Sequence, residues 1–179
     1  MKARALALLV GVATLSAAAG VGYHLWSRGG GTGRGLDPSE VVERVLEARV
    51  VDVKGAVQSL EQWRGRVLVV NYWATWCAPC REEIPVFVRM QERYGSRGLQ
   101  FVGIAIDQPD KVAEFAREFG INYPLLLGGI ETIELMRQAG NRAGVLPYTL
   151  VIDRKGNLVS GEPGGLKEAR LENLIRPLL

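Results

Sequence analysis

Cysteine and histidine are nearly absent from this 179-residue chain, which has two of the first and one of the second. A structural zinc site needs four sulfur or nitrogen ligands, and the lone His24 stands inside an apolar N-terminal run, so Cys and His cannot complete one. A Cys/His copper site fails for the same reason, because no histidine follows residue 24. Acidic residues are missing before Asp37, whereas Lys2, Arg4, Arg28 and Arg34 all lie there. The formal charge of +3 is therefore misleading, since 18 basic residues face 19 acidic ones from Asp37 onward. No clustered basic face is present, which excludes a nucleic-acid partner. Internal repeats are also missing.

Charge is absent again from Ala5 to Trp26, a run bounded by Lys2 and Arg4 before it and Arg28 after it. As a helix that run spans roughly 33 Å, enough for the hydrocarbon core of a bilayer. The preceding basic residues hold the N-terminus in the cytoplasm and place the chain beyond Arg28 outside. Residues 1–28 are expected to be a signal anchor, with Tyr23 and Trp26 at the interface. The small residues Ser16 to Ala19 leave a cleaved signal, and hence a soluble periplasmic product, as the alternative. Residues 29–36 read as a Gly-rich tether, and residues 37–179 as one domain with its own core.

Within that domain, Val41, Val42, Val45 and Leu46 have helix-like spacing, in either a helix or a covering arm. Val50 to Leu60 reads as a small hairpin turning at Lys54-Gly55. Val67 to Trp73 and Leu99 to Ile106 are buried strands, and Cys77 to about Tyr94 is a helix that Pro85 should kink. Asp107 or Asp110 should cap the next helix, whose stripe Val112, Phe115, Ala116 and Phe119 is core. Tyr123 to Leu127 is a short strand, followed by a helix to about Ala139. Tyr148 to Ile152 and Leu158 to Ser160 form a hairpin, and Leu166 to Ile175 a closing helix. Strands alternating with helices, then a hairpin, give an α/β fold with a mixed sheet covered by helices.

The two cysteines are Cys77 and Cys80, in the stretch Trp76-Cys77-Ala78-Pro79-Cys80 directly after a hydrophobic strand. Two intervening residues put the second sulfur about one turn along a helix begun at the first, so the pair can close into a disulfide. Unpaired N–H groups and the positive end of the helix dipole favour a Cys77 thiolate, which makes Cys77 the nucleophile. Cys80, better covered, is the resolving thiol. Pro79 suits the first turn, where a missing N–H costs nothing. A purely structural role is disfavoured, because a loop this short removes little unfolded-state entropy. Glu83, three residues after Cys80, lies on nearly the same helix face and can exchange a proton with it, whereas Glu82 points elsewhere. The absence of a third thiol suits an exported redox protein, which has no spare cysteine to mispair.

The segment from Asn71 through Trp76-Cys77-Ala78-Pro79-Cys80 to Pro85, with Gly144-Val145-Leu146-Pro147-Tyr148-Thr149, resembles the thioredoxin fold. More narrowly the chain resembles the TlpA/ResA family of membrane-anchored thiol-disulfide oxidoreductases, from about Val50 to the C-terminus. The resemblance implies a thioredoxin-like fold with an extra helix and strand before a cis-proline motif. It makes Pro147 the cis-proline opposite the dithiol, and Leu146 the residue whose backbone pairs with an extended substrate strand. Glu83 matches an active-site glutamate of the ResA-type members. Trp76, Ala78, Pro79 and Tyr148 join the expected substrate surface, with Trp73 a packing residue. Asn71 stands where thioredoxin has a buried aspartate, so proton exchange falls to Glu83, to water, or to no group.

The implied activity is reduction of protein disulfides outside the cytoplasm, with no cofactor. Substrates are protein thiols and disulfides, in the family including those of cytochrome c and oxidase maturation. An upstream membrane dithiol donor at the inner membrane would restore the dithiol. A disulfide-forming oxidase is the first alternative, because stabilising a Cys77 thiolate makes the couple more oxidising. A binding-only copper-delivery or holdase module is another. A peroxidase is disfavoured, since peroxiredoxins resemble one another in a threonine three residues before the nucleophile and Ala74 stands there.

Overall fold

The computed structural model describes residues 37–179. The expected anchor, the tether and His24 lie outside the described residues. Among those described, no helix is long and apolar enough to cross a membrane, and no group of three or more His, Cys, Asp or Glu side chains is placed to hold a metal ion.

One seven-stranded mixed sheet has the order β2-β1-β5-β4-β3-β6-β7. The strands are β1 (Arg49–Asp52), β2 (Val57–Ser59), β3 (Val67–Trp73), β4 (Leu99–Ala105), β5 (Leu125–Leu127), β6 (Tyr148–Ile152) and β7 (Leu158–Pro163). The helices are α1 (Pro38–Glu47), α2 (Ala78–Tyr94), α3 (Pro109–Glu118), α4 (Ile130–Gln138) and α5 (Glu168–Ile175). Central β3 runs parallel to β4 and antiparallel to β6, and β4 runs parallel to β5. The fold is thioredoxin-like, with β5 and α4 inserted between β4 and the final hairpin.

Every residue of β3 and β4 is buried, which is why both read as nearly continuous apolar runs, interrupted by Asn71 and Gln100, rather than alternating ones. Period-two geometry divides their side chains between two cores. Val67, Val69 and Trp73 pack with Ile84, Phe87 and Met90 of α2, with Val112 and Phe115 of α3, and with Leu171 and Ile175 of α5. Leu68, Val70 and Tyr72 pack on the other face with Val41, Val42, Val45 and Leu46 of α1 and Met136 of α4. Trp73 is a packing residue, its ring 5.1 Å from that of Phe115. A Cβ at Gly103 would come within 2.9 Å of the Trp73 indole nitrogen, so this strand position is left without a side chain.

The segment after Asp37 is a helix and not an irregular arm. Asp37 accepts from the Ser39 N–H at 3.0 Å while Glu40 reaches back to the Asp37 N–H at 3.2 Å, a reciprocal capping box. Pro85 sits within α2, which continues to Tyr94. Other boundaries moved for identifiable reasons. β5 begins after Pro124, which has no N–H to give a ladder. α5 begins at Glu168, two residues later than the periodicity predicts, because Lys167 before it is extended (φ −77°, ψ 148°) and serves as its N-cap.

Neither Asp107 nor Asp110 caps α3. Its N-cap is Gln108, with no side-chain cap bond. The Asp107 carboxylate turns instead to Thr75, accepting from its N–H at 3.1 Å and from its hydroxyl. Both Thr75 donors reach Oδ2, while Oδ1 accepts from the Gln108 N–H at 2.8 Å, so the carboxylate ties the helix start to the dithiol loop without serving as its N-cap.

Candidate active site

The register places the site at one end of the sheet. β3 ends at Trp73, and the Tyr72–Tyr148 pairing puts the segment preceding β6 beside that end. Cys77 and Leu146-Pro147 therefore meet at the carboxyl end of the central strand, the usual place for a site in such sheets. The Leu146–Pro147 peptide bond is cis.

Cys77 is the N-cap of α2, and Cys80 lies in its first turn. The Cys77 N–H donates to the Ala74 carbonyl at 3.2 Å, which closes the tight turn leading out of β3. The two sulfurs are joined in a disulfide with a Cα–Cα distance of 5.3 Å. Cys77 is 6% exposed and Cys80 is fully covered, so the leading sulfur is the one an incoming group can reach. Ala78 and Pro79 are exposed at the helix start.

Glu83 is buried at 3% exposure. Its Oε1 accepts from Asn71 Nδ2 at 2.8 Å, and its Oε2 accepts from the Leu166 N–H at 2.8 Å. Burial pushes its carboxyl up to about 7 from an ordinary 4.5, against the lowering effect of those two donors. The group thus titrates near neutrality, where a proton carrier is most effective. Outward, Glu83 borders a recess of about 280 Å³ that it shares with Pro79, Glu82, Gly165 and Lys167.

On the other side of the dithiol, Trp76 projects into solvent at 68% exposure. With Ile106, Ile133, Met136, Gly144 and Leu146 it lines an open, largely apolar recess of about 240 Å³. The loop before Pro147 is held by Asn141, whose Nδ2 donates to the Val145 carbonyl at 2.6 Å and whose Oδ1 accepts the Val145 N–H at 3.2 Å.

The structure thus brings Cys77, Cys80, Glu83, Trp76, Ala78, Pro79, Leu146 and Pro147 to one end of the sheet. Tyr148 is the correction. It is 3% exposed, its ring lies in the α1/α4 core, and its hydroxyl donates to the Ala139 carbonyl at 2.6 Å. Alternation along β6 turns it away from the groove, so it ties the inserted helix to the sheet and offers no surface to a substrate. Sequence reading missed Thr149, the Leu166 N–H, Asp107 as the anchor of Thr75, and the α4 wall of Ile133 and Met136. Only Asp107 had drawn attention there, and for the wrong partner.

Comparison with known proteins agrees with this geometry. The family model described as Redoxin matches residues 41–175. The thiol-disulfide oxidoreductase ResA of Geobacillus kaustophilus (strain HTA426) is 31% identical over 130 residues, covering 72% of this chain and 72% of the relative. ResA of Bacillus subtilis (strain 168) is 29% identical over 133 residues, covering 70% of each. Among solved structures, a thiol:disulfide interchange protein of the thioredoxin family from Chlorobium tepidum TLS superposes with a TM-score of 0.66 at 33% identity. The match spans 75% of this chain and 97% of that one. A thioredoxin-related protein from Neisseria meningitidis serogroup B gives 0.64 at 30% identity, covering 72% of this chain and 97% of that one.

Proposed function

Because the chain belongs to the Redoxin family, as a ResA-like thiol-disulfide oxidoreductase of the thioredoxin superfamily, we propose that it reduces disulfides of exported proteins through Cys77 and Cys80. The observation that carries this reading is the asymmetry of the pair: an N-capping, partly reachable Cys77 and a covered Cys80, with a near-neutral carboxyl on Cys80's own helix face.

The Cys77 thiolate attacks one sulfur of the substrate disulfide, forming a Cys77–substrate bond and expelling the other substrate sulfur as a thiolate. Cys80 gives its proton to the ionised Glu83 and attacks the Cys77 sulfur, which closes the Cys77–Cys80 disulfide and releases the second substrate sulfur. Two electrons pass from enzyme to substrate, and the proton on Glu83 is free to leave toward the recess. A membrane dithiol donor then returns two electrons to the pair, and Cys80 takes back one proton, which restores the Cys77 thiolate and the Cys80 thiol. The substrate lies extended along Leu146, its side chains against Trp76, Ala78 and Pro79.

Residues 1–28 serve as the anchor and 29–36 as the tether, holding the catalytic domain on the periplasmic side of the inner membrane. The apolar run with its flanking positive charges supports this placement. Cytochrome c or oxidase maturation is the proposed setting, by kinship with the family.

The test is to express the full chain as Cys80→Ser, so that the mixed disulfide has no resolving thiol, and to isolate the adducts. Exported cysteine-containing proteins linked through Cys77 in the membrane fraction are expected. Absence of any adduct that depends on Cys77 overturns the catalytic reading, and adducts confined to soluble fractions overturn the anchor.

A further inference from the structure

Asn71 sits in the middle of β3, 1% exposed, on the face toward α2. Its side-chain nitrogen spends both protons, one on Glu83 Oε1 at 2.8 Å and one on Thr149 Oγ1 at 3.0 Å, the residue paired with it on β6. Its Oδ1 is the one buried side-chain oxygen or nitrogen among the described residues with no hydrogen-bond partner. An orphaned buried acceptor costs about 1–3 kcal/mol, so something must hold the amide this way round.

The holder is the charge on Glu83. Turning the amide over would aim the Oδ1 lone pairs at a carboxylate oxygen, and an ionised carboxylate only accepts. Protonation reverses the requirement. With Oε2 occupied by the Leu166 N–H, the acid proton on Oε1 faces Asn71 and needs an acceptor there. A turned amide supplies it, with Oδ1 accepting from Glu83 and from the Thr149 hydroxyl. Two hydrogen bonds are exchanged for two, and the orphan becomes the nitrogen.

We propose that Asn71 is a positioning residue whose side-chain amide turns over with the protonation of Glu83, stabilising the carboxylate in one orientation and the acid in the other. Asparagine donates to the ionised Glu83 without titrating itself, which an aspartate at this place could do only by holding a proton of its own. The proposal rests on Glu83 as the titrating group but not on its part in turnover. Other charged groups around Glu83 are few. Glu82, Lys167 and Glu168 border the outer recess, with Glu168 tied to Arg89 at 2.9 Å. Tyr123 packs in the same core, its phenol pushed up by burial and by the Glu83 charge. None of them reaches Asn71 with a hydrogen bond.

The experiment uses the oxidised full chain, in which no thiol titrates, labelled for NMR at its side-chain amides. Proximity signals from the two Asn71 amide protons to Thr149 and Glu83 are followed from pH 5 to pH 9. They are expected to be present at pH 9 and lost at pH 5, with a midpoint near 7 matching the titration of the Glu83 carboxyl. In Glu83→Gln, whose amide must donate toward Asn71, the turned pattern is expected at every pH. An Asn71 pattern that stays the same across the range in wild type, or follows pH equally in Glu83→Gln, overturns the proposal. Turnover of a disulfide substrate by Glu83→Gln is measured separately. If turnover equals wild type, the proposed part of Glu83 in the resolving step fails while the amide rotation stands or falls on its own signals.

Discussion

Replacing Glu83 with glutamine should stabilise the oxidised protein, and more so the higher the pH. The Glu83 carboxyl is raised to about 7 in the folded protein against 4.5 unfolded, so the folded state keeps its proton over a range where the unfolded chain has released it. Stability therefore falls as pH rises from about 4.5 and levels off above about 7. At about 1.4 kcal/mol for each unit of difference, the wild type loses about 3 kcal/mol in all, and about 2 to 3 of it between pH 5 and pH 8. Glutamine cannot ionise and still offers an oxygen to the Leu166 N–H, so it escapes this loss. The assay is guanidinium unfolding of both proteins at pH 5 and pH 8 with the Cys77–Cys80 disulfide intact. The stability difference between the variants should widen by about 2 to 3 kcal/mol, roughly half a molar in midpoint. Parallel behaviour of the two proteins across that range would show that Glu83 is not a buried carboxyl titrating near neutrality.

Two further substitutions separate surface from scaffold. Trp76→Ala removes an exposed aromatic from the recess wall, so folding stability should stay within about 0.5 kcal/mol of wild type. Its kcat/KM for a protein disulfide should fall about tenfold, measured beside a small disulfide whose reduction is little changed. Tyr148→Phe breaks the bond to the Ala139 carbonyl and should cost about 1 kcal/mol in denaturant unfolding. It should leave turnover of the same protein disulfide unaltered. A loss of turnover there would return Tyr148 to the substrate surface.

What the sequence disclosed, and what it hid, divides by range. β3 and β4 were legible because strands buried on both faces write themselves as nearly continuous apolar runs. The start of α2 was legible because Cys77 and Pro79 mark a first turn. The destination of Asp107 was not. Its carboxylate holds Thr75, 32 residues back in sequence, and only the assembled sheet brings that partner within reach. Glu83 could be placed on the Cys80 face by helical angle alone. Its other contacts, from Asn71 on β3 and from Leu166 just ahead of α5, arrive across 12 and 83 residues. Tyr148 was misread because position beside a motif says nothing about which face of a strand a side chain takes.

The proposed chemistry stands on a reachable Cys77 thiolate at the start of α2. Its most direct measurement is the pH dependence of alkylation of the reduced chain, with the labelled cysteine located by mass spectrometry. Rapid labelling confined to Cys77, with a midpoint at least about one unit below the 8.5 or so of a free thiol, is predicted. Equal labelling of Cys77 and Cys80, or a Cys77 midpoint no lower than that of free cysteine, would contradict it.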